Sequence, residues 1–487
     1  MFFAFLVAAV TTLPNDGLPI TAPTAVGMSA ERLETIDRVV QRGLDAGGYP
    51  GAAVVVGRRG ATVWQRGYGH LGWTADSPAV LPDRTIYDLA SLTKVIGTTT
   101  AAMVLYDEGK LVLDEKVAHY LPAFSGGEKD QITVRMLLEH RSGLPAGRDL
   151  WRHAHTPEEA KQLVLDTKLE YRPDHGQVYS DLGADILGWV VEAAAGMPLD
   201  RFLSARVFTP LGMHDTGFRP ADSLVYRIAP TEIAPPRGYP VRGEVHDENA
   251  FTLGGVAGHA GLFGTADDLA VFAQMMLNGG TYDGTRIVAD STVKLFTTRA
   301  SGDRALGWEV ADGTHGAGRY LSGSAYGHTG FTGTSMWIDP DREMFVILLT
   351  NRVHAARAKR PAKVIADVRA DLADAAALAV TDANLAVAEM PVSFRADRAV
   401  GWNRAVRVAR SARRKGIVKQ PAAGVKTITP APAAGDQKVV PRKKAVTKQA
   451  AAKKASVKKA PTKKSPPRTK PAAKTTTAKK PRDTSNK

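Results

Sequence analysis

Cysteine is absent from all 487 residues, which excludes disulfides, zinc–thiolate sites and thiol catalysis and suits an oxidising compartment. Long apolar runs are scarce too. Apart from Met1–Val10, no stretch approaches the roughly 20 residues needed to cross a bilayer. That run makes residues 1–16 resemble the apolar part of an export signal, although no Lys or Arg precedes it. An extracytoplasmic location is the expectation; an ordinary buried N-terminal segment in a cytoplasmic protein and a start within a longer leader are its alternatives. Acids and aromatics run out toward the other end. Residues 404–487 hold 26 Lys and Arg against Asp436 and Asp483, and no aromatic lies between Arg413 and Lys487. The formal charge of +15 therefore leaves −9 for residues 1–403, so the basic character belongs to the tail alone.

The rest of the chain is amply apolar, 44% of the whole sequence, and can bury a core without metal or disulfide. Helical spacing over Ala30–Ala46 is followed by two β-rich runs, Gly51–Gly57 and Ala61–Tyr68, separated by Arg58, Arg59 and Gly60. A second hairpin is predicted from Ser335–Asp339 and Met344–Thr350, then a helix over Ala355–Ala379. Between the hairpins the spacing predicts helices at 91–108, 131–140, 158–166, 178–195 and 265–278. The expected fold is α+β: one antiparallel sheet built from both chain ends, flanked by helices, with a mostly helical insertion and a cleft where the two parts meet. The domain would span 25–385, with a linker at 386–412. Residues 413–487, rich in Lys, Ala and Pro, are expected to be disordered, because they cannot bury enough surface to offset their ordering entropy.

Three short elements carry chemistry. Ser91-Leu92-Thr93-Lys94 opens a helix, so the i to i+3 spacing places a hydroxyl at the positive end of the helix dipole with an ammonium on the same face. The pattern alone is weak, since Ser291–Lys294 and Ser456–Lys459 repeat it. Tyr179-Ser180-Asp181, 88 residues on, offers a phenol for proton transfer. His328-Thr329-Gly330 follows after another 149 residues. Taken singly, Tyr179 would be a core tyrosine and His328 a strand-end histidine.

Together they resemble the serine β-lactamase and penicillin-binding-protein superfamily (class C β-lactamases, DD-peptidases and serine esterases), whose elements are Ser-x-x-Lys, Tyr-x-Asn and Lys-Thr-Gly in this order. Leu137–Pro145, Gly261–Leu269 and Gly327–Thr334 also look like family segments. The resemblance implies that Ser91 is the nucleophile, that Lys94 and Tyr179 share the base role, and that the N–H groups of Ser91 and Phe331 form the oxyanion hole. Asp181, His328, Thr329 and Gly330 would bind substrate, with Gly330 and Gly333 letting it approach the strand. No cofactor is implied.

Two positions depart from the pattern. His328 stands where β-lactamases carry lysine, exchanging a fixed charge for one mostly lost above a pH of roughly 6.5. Asp181 replaces asparagine, so it can pair with Lys94, keep it protonated and leave more of the base role to Tyr179. His246-Asp247-Glu248-Asn249 and His259 read as loop residues near the cleft. Arg141 and Arg352 read as structural, with either able to supply the anion-binding charge that His328 lacks.

The expected activity is hydrolysis through an acyl-serine on a small peptide, amide or ester, with D-amino-acid cell-wall peptides favoured. A carboxylesterase and a non-catalytic wall-binding or sensor module are the alternatives. The protein is expected to be a monomer. Residues 413–487 are expected to meet anionic envelope polymers rather than specific nucleic-acid sequences, because no aromatic is present for base stacking.

Overall fold

The computed structural model describes residues 17–385 and 391–398. The signal-like segment 1–16, the tail 413–487 and most of the 386–412 linker lie outside the described residues. Strands β1 (Gly51–Arg58) and β2 (Ala61–Gly69) form the first predicted hairpin, and its turn residues Arg59 and Gly60 have φ of 49° and 82°, the left-handed pair that suits a two-residue hairpin turn. Short strands β3 (Tyr87–Asp88), β4 (Gly217–Phe218) and β5 (Leu262–Gly264) make a small antiparallel sheet in the order β3-β5-β4. The later strands are β6 (Glu309–Val310), β7 (Tyr326–Thr329), β8 (Ser335–Asp339) and β9 (Met344–Thr350). With β1 and β2 they form one six-stranded antiparallel sheet, β2-β1-β9-β8-β7-β6. Both chain ends do build it, and the fold is α+β.

The central strands are buried on both faces, and their alternation sorts side chains between two cores. Val54, Val56, Val346 and Leu348 join Ile36, Val40, Val364 and Val368 from the terminal helices, whereas Ala53, Val55, Ile347 and Leu349 join the helical insertion. Five helical segments matter for the site: α1 (Thr35–Asp45), α2 (Thr93–Asp107), α3 (Asp181–Ala195), α4 (Ala266–Leu277) and α5 (Pro361–Leu378).

Several boundaries differ from the periodicity. The first helix is broken at Glu34 into Ala30–Leu33 and α1. The C-terminal helix starts at Pro361, not at Ala355, because proline disfavours helical geometry in the residue before it. The 131–140 segment shortens to a helix over Val134–Leu138. The first two turns of α2, Thr93–Thr99, are π-helical, and the Thr100 hydroxyl bonds back to the Val95 carbonyl. Such local widening is common at functional sites.

Candidate active site

Ser91 sits just before α2, behind Ala90, whose φ of 48° is left-handed and costs a non-glycine residue about 1–3 kcal/mol. Packing on both sides holds the turn. Buried Asp88 accepts from the Ala90 N–H at 2.8 Å and from the His246 N–H at 2.6 Å, and the Leu89 N–H donates to Leu262 of β5. From the β7–β8 connection, the hydroxyls of Thr332 and Thr334 donate to the carbonyls of Asp88 and Leu89. The sequence element around Gly330 thus grips the backbone that presents Ser91.

Inside this grip, Lys94 is 4% exposed. Its Nζ lies 3.1 Å from Ser91 Oγ, 3.1 Å from the His259 carbonyl and 2.7 Å from Asp181 Oδ1. Burial alone would discharge it, but Tyr179 and Asp181 outweigh that and hold Lys94 as an ammonium, with a pKa above the ordinary lysine value. Burial pushes the Asp181 carboxyl up, yet Lys94 and His259 leave it below the ordinary aspartate value. The pairing expected from the Asp181 substitution is present.

Capping of α3 places Asp181 and Tyr179. Ser180 is the N-cap, its Oγ accepting from the Gly183 N–H and donating to the Pro145 carbonyl at 2.6 Å. The N–H groups of Val178, Ser180 and Asp181 are strapped to His140 O, His140 Nδ1 and Ala146 O. The 140–146 segment therefore fixes the tyrosine. The Tyr179 ring lies between His140 and His328, with centroids at 4.8 and 5.8 Å, while the Lys94 and Arg304 cations stand 4.9 and 5.3 Å from its own centroid.

His328 borders the same cavity as Ser91, but its charge differs from the sequence reading. Strand pairing sets it opposite Met336, so it shares the core-facing side of β7 with Tyr326, and it is 2% exposed. Its Nδ1 is 2.8 Å from the Thr329 carbonyl. Burial, reinforced by Arg304 and Lys94, pushes its pKa well below the ordinary histidine value, and His140 is shifted the same way by burial, Arg304 and Lys94. His328 therefore lacks the switchable charge expected near neutrality. Both rings should stay neutral as pH falls through roughly 6.5, while an unfolded chain would take up protons there, so each shift withdraws stability on acidification. Titrating the imidazole signals by NMR checks this. His328→Lys should lower the melting temperature, by setting a third cation beside Arg304 and Lys94, without strengthening binding of carboxylate-bearing ligands.

Two cavities flank Ser91 and share Tyr179 and Phe331 in their walls. One, about 320 Å³, is bordered by Arg304, Arg352, Arg369, Glu309 and Gly330. The other, about 340 Å³, is bordered by Asp181, Glu232, His246, Asp247 and Glu248. The His246–Glu248 loop, read from the sequence only as lying near the cleft, is one of its walls. His259 is fully enclosed between Asp185 (2.7 Å) and Asp247 (3.0 Å); burial opposes its charge, but the two carboxylates win and raise its pKa well above the ordinary value. It is a structural imidazolium backing the cleft. Arg141 pairs with Glu139 and Asp174 and borders neither cavity. Arg352 is different: the residue is 9% exposed, its guanidinium stacks 4.5 Å from the Phe331 centroid, its Nε has no hydrogen-bond partner, and among the described residues no ion pair engages it, the Glu232 carboxylate acting on its charge only at longer range.

Gly330 and Gly333 also differ from expectation. A Cβ on Gly330 would lie 2.1 Å from Thr334 Oγ1 and 2.5 Å from the Leu89 carbonyl, and one on Gly333 would lie 2.0 Å from Thr350 Oγ1. The closeness these glycines permit is between the chain and itself. Gly330 still borders the cleft through its backbone, and Thr329 borders the same cavity. Among the described residues, neither the Ser91 N–H nor the Phe331 N–H donates to a protein acceptor.

A serine at the head of a helix, a buried ammonium at i+3, a tyrosine beside both and two free N–H groups facing a cleft make the arrangement of a serine hydrolase. The chain belongs to the beta-lactamase family, whose sequence pattern matches residues 36–370. It is 33% identical over 398 residues to an Escherichia coli (strain K12) protein named "Putative D-alanyl-D-alanine carboxypeptidase", covering 73% of this chain and 91% of that one. Among solved structures, a class C beta-lactamase superposes with a TM-score of 0.57 at 18% identity, covering 70% of this chain and 96% of that one. EstCE1, a hydrolase with promiscuous acyltransferase activity, gives 0.56 at 24%, covering 70% and 98%. These two likenesses establish the fold.

Proposed function

We propose that the protein hydrolyses peptides ending in a free carboxylate, of the kind found in D-amino-acid cell-wall peptides, through an acyl intermediate on Ser91. One observation carries the choice of substrate: Arg352, a residue only 9% exposed whose guanidinium has no hydrogen-bond or ion-pair partner among the described residues, borders the same cavity as Ser91. An unpartnered buried cation is costly, and an arriving carboxylate offsets that cost. The name of the Escherichia coli relative agrees with this reading.

In the proposed reaction the phenolate form of Tyr179, its charge offset by Lys94, which Asp181 fixes as an ammonium, takes the Ser91 proton and becomes the neutral phenol. Ser91 Oγ attacks the carbonyl carbon, and the oxyanion receives the N–H groups of Ser91 and Phe331. The C–N bond breaks as Tyr179 returns the proton to the leaving amine. Water, deprotonated by Tyr179, then attacks the acyl-serine and releases the acid, and the proton returns to Ser91. A neutral His328 favours a second reading, a carboxylesterase with no need for a charged leaving group. Intact-protein mass spectrometry with D-alanyl-D-alanine peptides, their C-terminal amides and nitrophenyl esters separates the two. Acylation by the free-acid peptide at least ~10-fold faster than by its amide supports the peptidase; equal rates with both, or acylation by the ester alone, reject it.

On this reading the enzyme works outside the cytoplasm, where such peptides occur. The charge of residues 413–487 suits retention on anionic envelope polymers, released steeply by salt. Deleting them should leave turnover of a small ester unchanged but abolish salt-sensitive binding to envelope fractions. Equal retention of the two forms would reject the tether.

A further inference from the structure

The N–H of Phe331 belongs to the Gly330–Phe331 peptide. In a trans peptide the carbonyl and the N–H point in opposite directions, so whatever fixes the Gly330 carbonyl aims the Phe331 N–H. Two donors fix it: the Gly333 N–H at 3.1 Å and Arg369 Nη2 at 2.6 Å. The same Nη2 also donates to the Thr334 carbonyl at 2.7 Å. The Gly330 N–H donates to Thr334 O at 2.8 Å, closing the turn that Arg369 bridges from outside.

Arg369 reaches this turn from α5, the helix packed behind the sheet, and lies partly buried with no carboxylate bound to it among the described residues. A helix-face arginine ordinarily points to water or pairs with an acid, and desolvating one against two neutral carbonyls needs a compensating role. Burial and the neighbouring Arg352 pull its pKa down to about 9, against a partial offset from Glu309.

We propose that Arg369 is a positioning residue for the oxyanion hole: by binding the Gly330 carbonyl it turns the Phe331 N–H toward the oxygen of the substrate carbonyl attached to Ser91. The assignment rests on the acyl-serine reading. Its charge adds a second effect, because a cation behind the peptide polarises it and strengthens the N–H as a donor to an oxyanion. The contribution is made to the transition state and scarcely to the bound substrate, so it belongs in kcat and not in KM.

Arg369→Met keeps the stem and removes every donor; Arg369→Lys keeps a charge and donors but loses the planar fork. With nitrophenyl acetate, kcat should fall about 10- to 100-fold in Arg369→Met with KM within about twofold, because a misaimed donor loses much of what a deleted one does. Affinity for phenylboronic acid, which forms a tetrahedral anion on the serine, should fall by the same factor. Arg369→Lys should lie between this variant and the wild type, and millimolar guanidinium should restore part of the kcat of Arg369→Met. Melting temperatures are recorded for each, and if Arg369→Met does not fold, Arg369→Lys carries the test through the same kcat and boronate readings. A folded variant with unchanged kcat, or one that loses only KM, overturns the assignment. Ser91→Ala run in parallel separates the levels: a dead Ser91→Ala beside normal Arg369 variants sinks only the positioning role, whereas an active Ser91→Ala sinks the acyl-serine reading itself.

Discussion

Ser91→Ala is expected to lose about 10⁴- to 10⁶-fold in turnover and all covalent labelling by a fluorophosphonate, the scale on which deleting an acyl-accepting serine acts in serine hydrolases. Stability should hold within about 1 kcal/mol. The hydroxyl is partly exposed and its one hydrogen-bond partner among the described residues is Lys94, which retains Asp181 and the His259 carbonyl when Ser91 is gone. The repeated motif supplies an internal control. Ser291 and Lys294 lie on the exposed face of the Asp290–Thr297 helix, where Lys294 pairs with Asp290 at 2.6 Å and neither residue borders the two cavities at Ser91. Ser291→Ala should change nothing. Residual turnover of Ser91→Ala above a tenth of wild type, with a melting curve like that of the parent, would remove Ser91 from the chemistry.

Why one Ser-x-x-Lys is buried beside a tyrosine and another is solvated was partly legible in the sequence. The runs after Ser91 and after Asp181 are apolar, so both elements had to pack, and period-two runs at the two ends of the chain announced the sheet that closes the cleft. The burial of His328 was also readable in principle, since Tyr326 and His328 share one face of a strand whose partner presents Met336. Its charge state was not, because that depends on Arg304 and Lys94, which are brought to it from 24 and 234 residues away. The arginines were the least legible. Arg304, Arg352 and Arg369 look like solvated charges in one dimension, and nothing in their local spacing says that a loop, a strand end and a helix converge on one cavity. The same holds for Asp88, whose carboxylate joins the Ser91 turn to the His246 loop across 158 residues. Local pattern fixes elements; it does not say which long-range partners meet.

Arg352 supplies the other large expected effect, and it separates binding from stability. Removing one partner of a buried pair normally strands the other and costs several kcal/mol, but among the described residues the Arg352 guanidinium has no hydrogen-bond or ion-pair partner to strand, and the Glu232 carboxylate acts on it only at longer range. Arg352→Gln should therefore leave the melting temperature unchanged or raised, since a desolvated cation is exchanged for a neutral amide. Catalysis should respond according to substrate charge. For a peptide ending in a free carboxylate, kcat/KM should fall about 100-fold, on the order of 3 kcal/mol for a charge-assisted contact in a partly enclosed cavity. For the matching C-terminal amide or a nitrophenyl ester it should change less than about threefold. Arg352→Lys should recover little of the loss, because the planar group that lies on the Phe331 ring is replaced by a compact ammonium that neither stacks there nor offers a bidentate face. The comparison is a set of steady-state rates on the paired free-acid and amide peptides, with melting curves for every variant. Equal losses on both substrates would show that Arg352 shapes the cleft without recognising charge. A melting temperature lowered by several degrees would show that its positive charge serves the fold, and the carboxylate would then have to be sought at Arg304, whose guanidinium borders the same cavity but is already engaged by Glu309 at 3.1 Å.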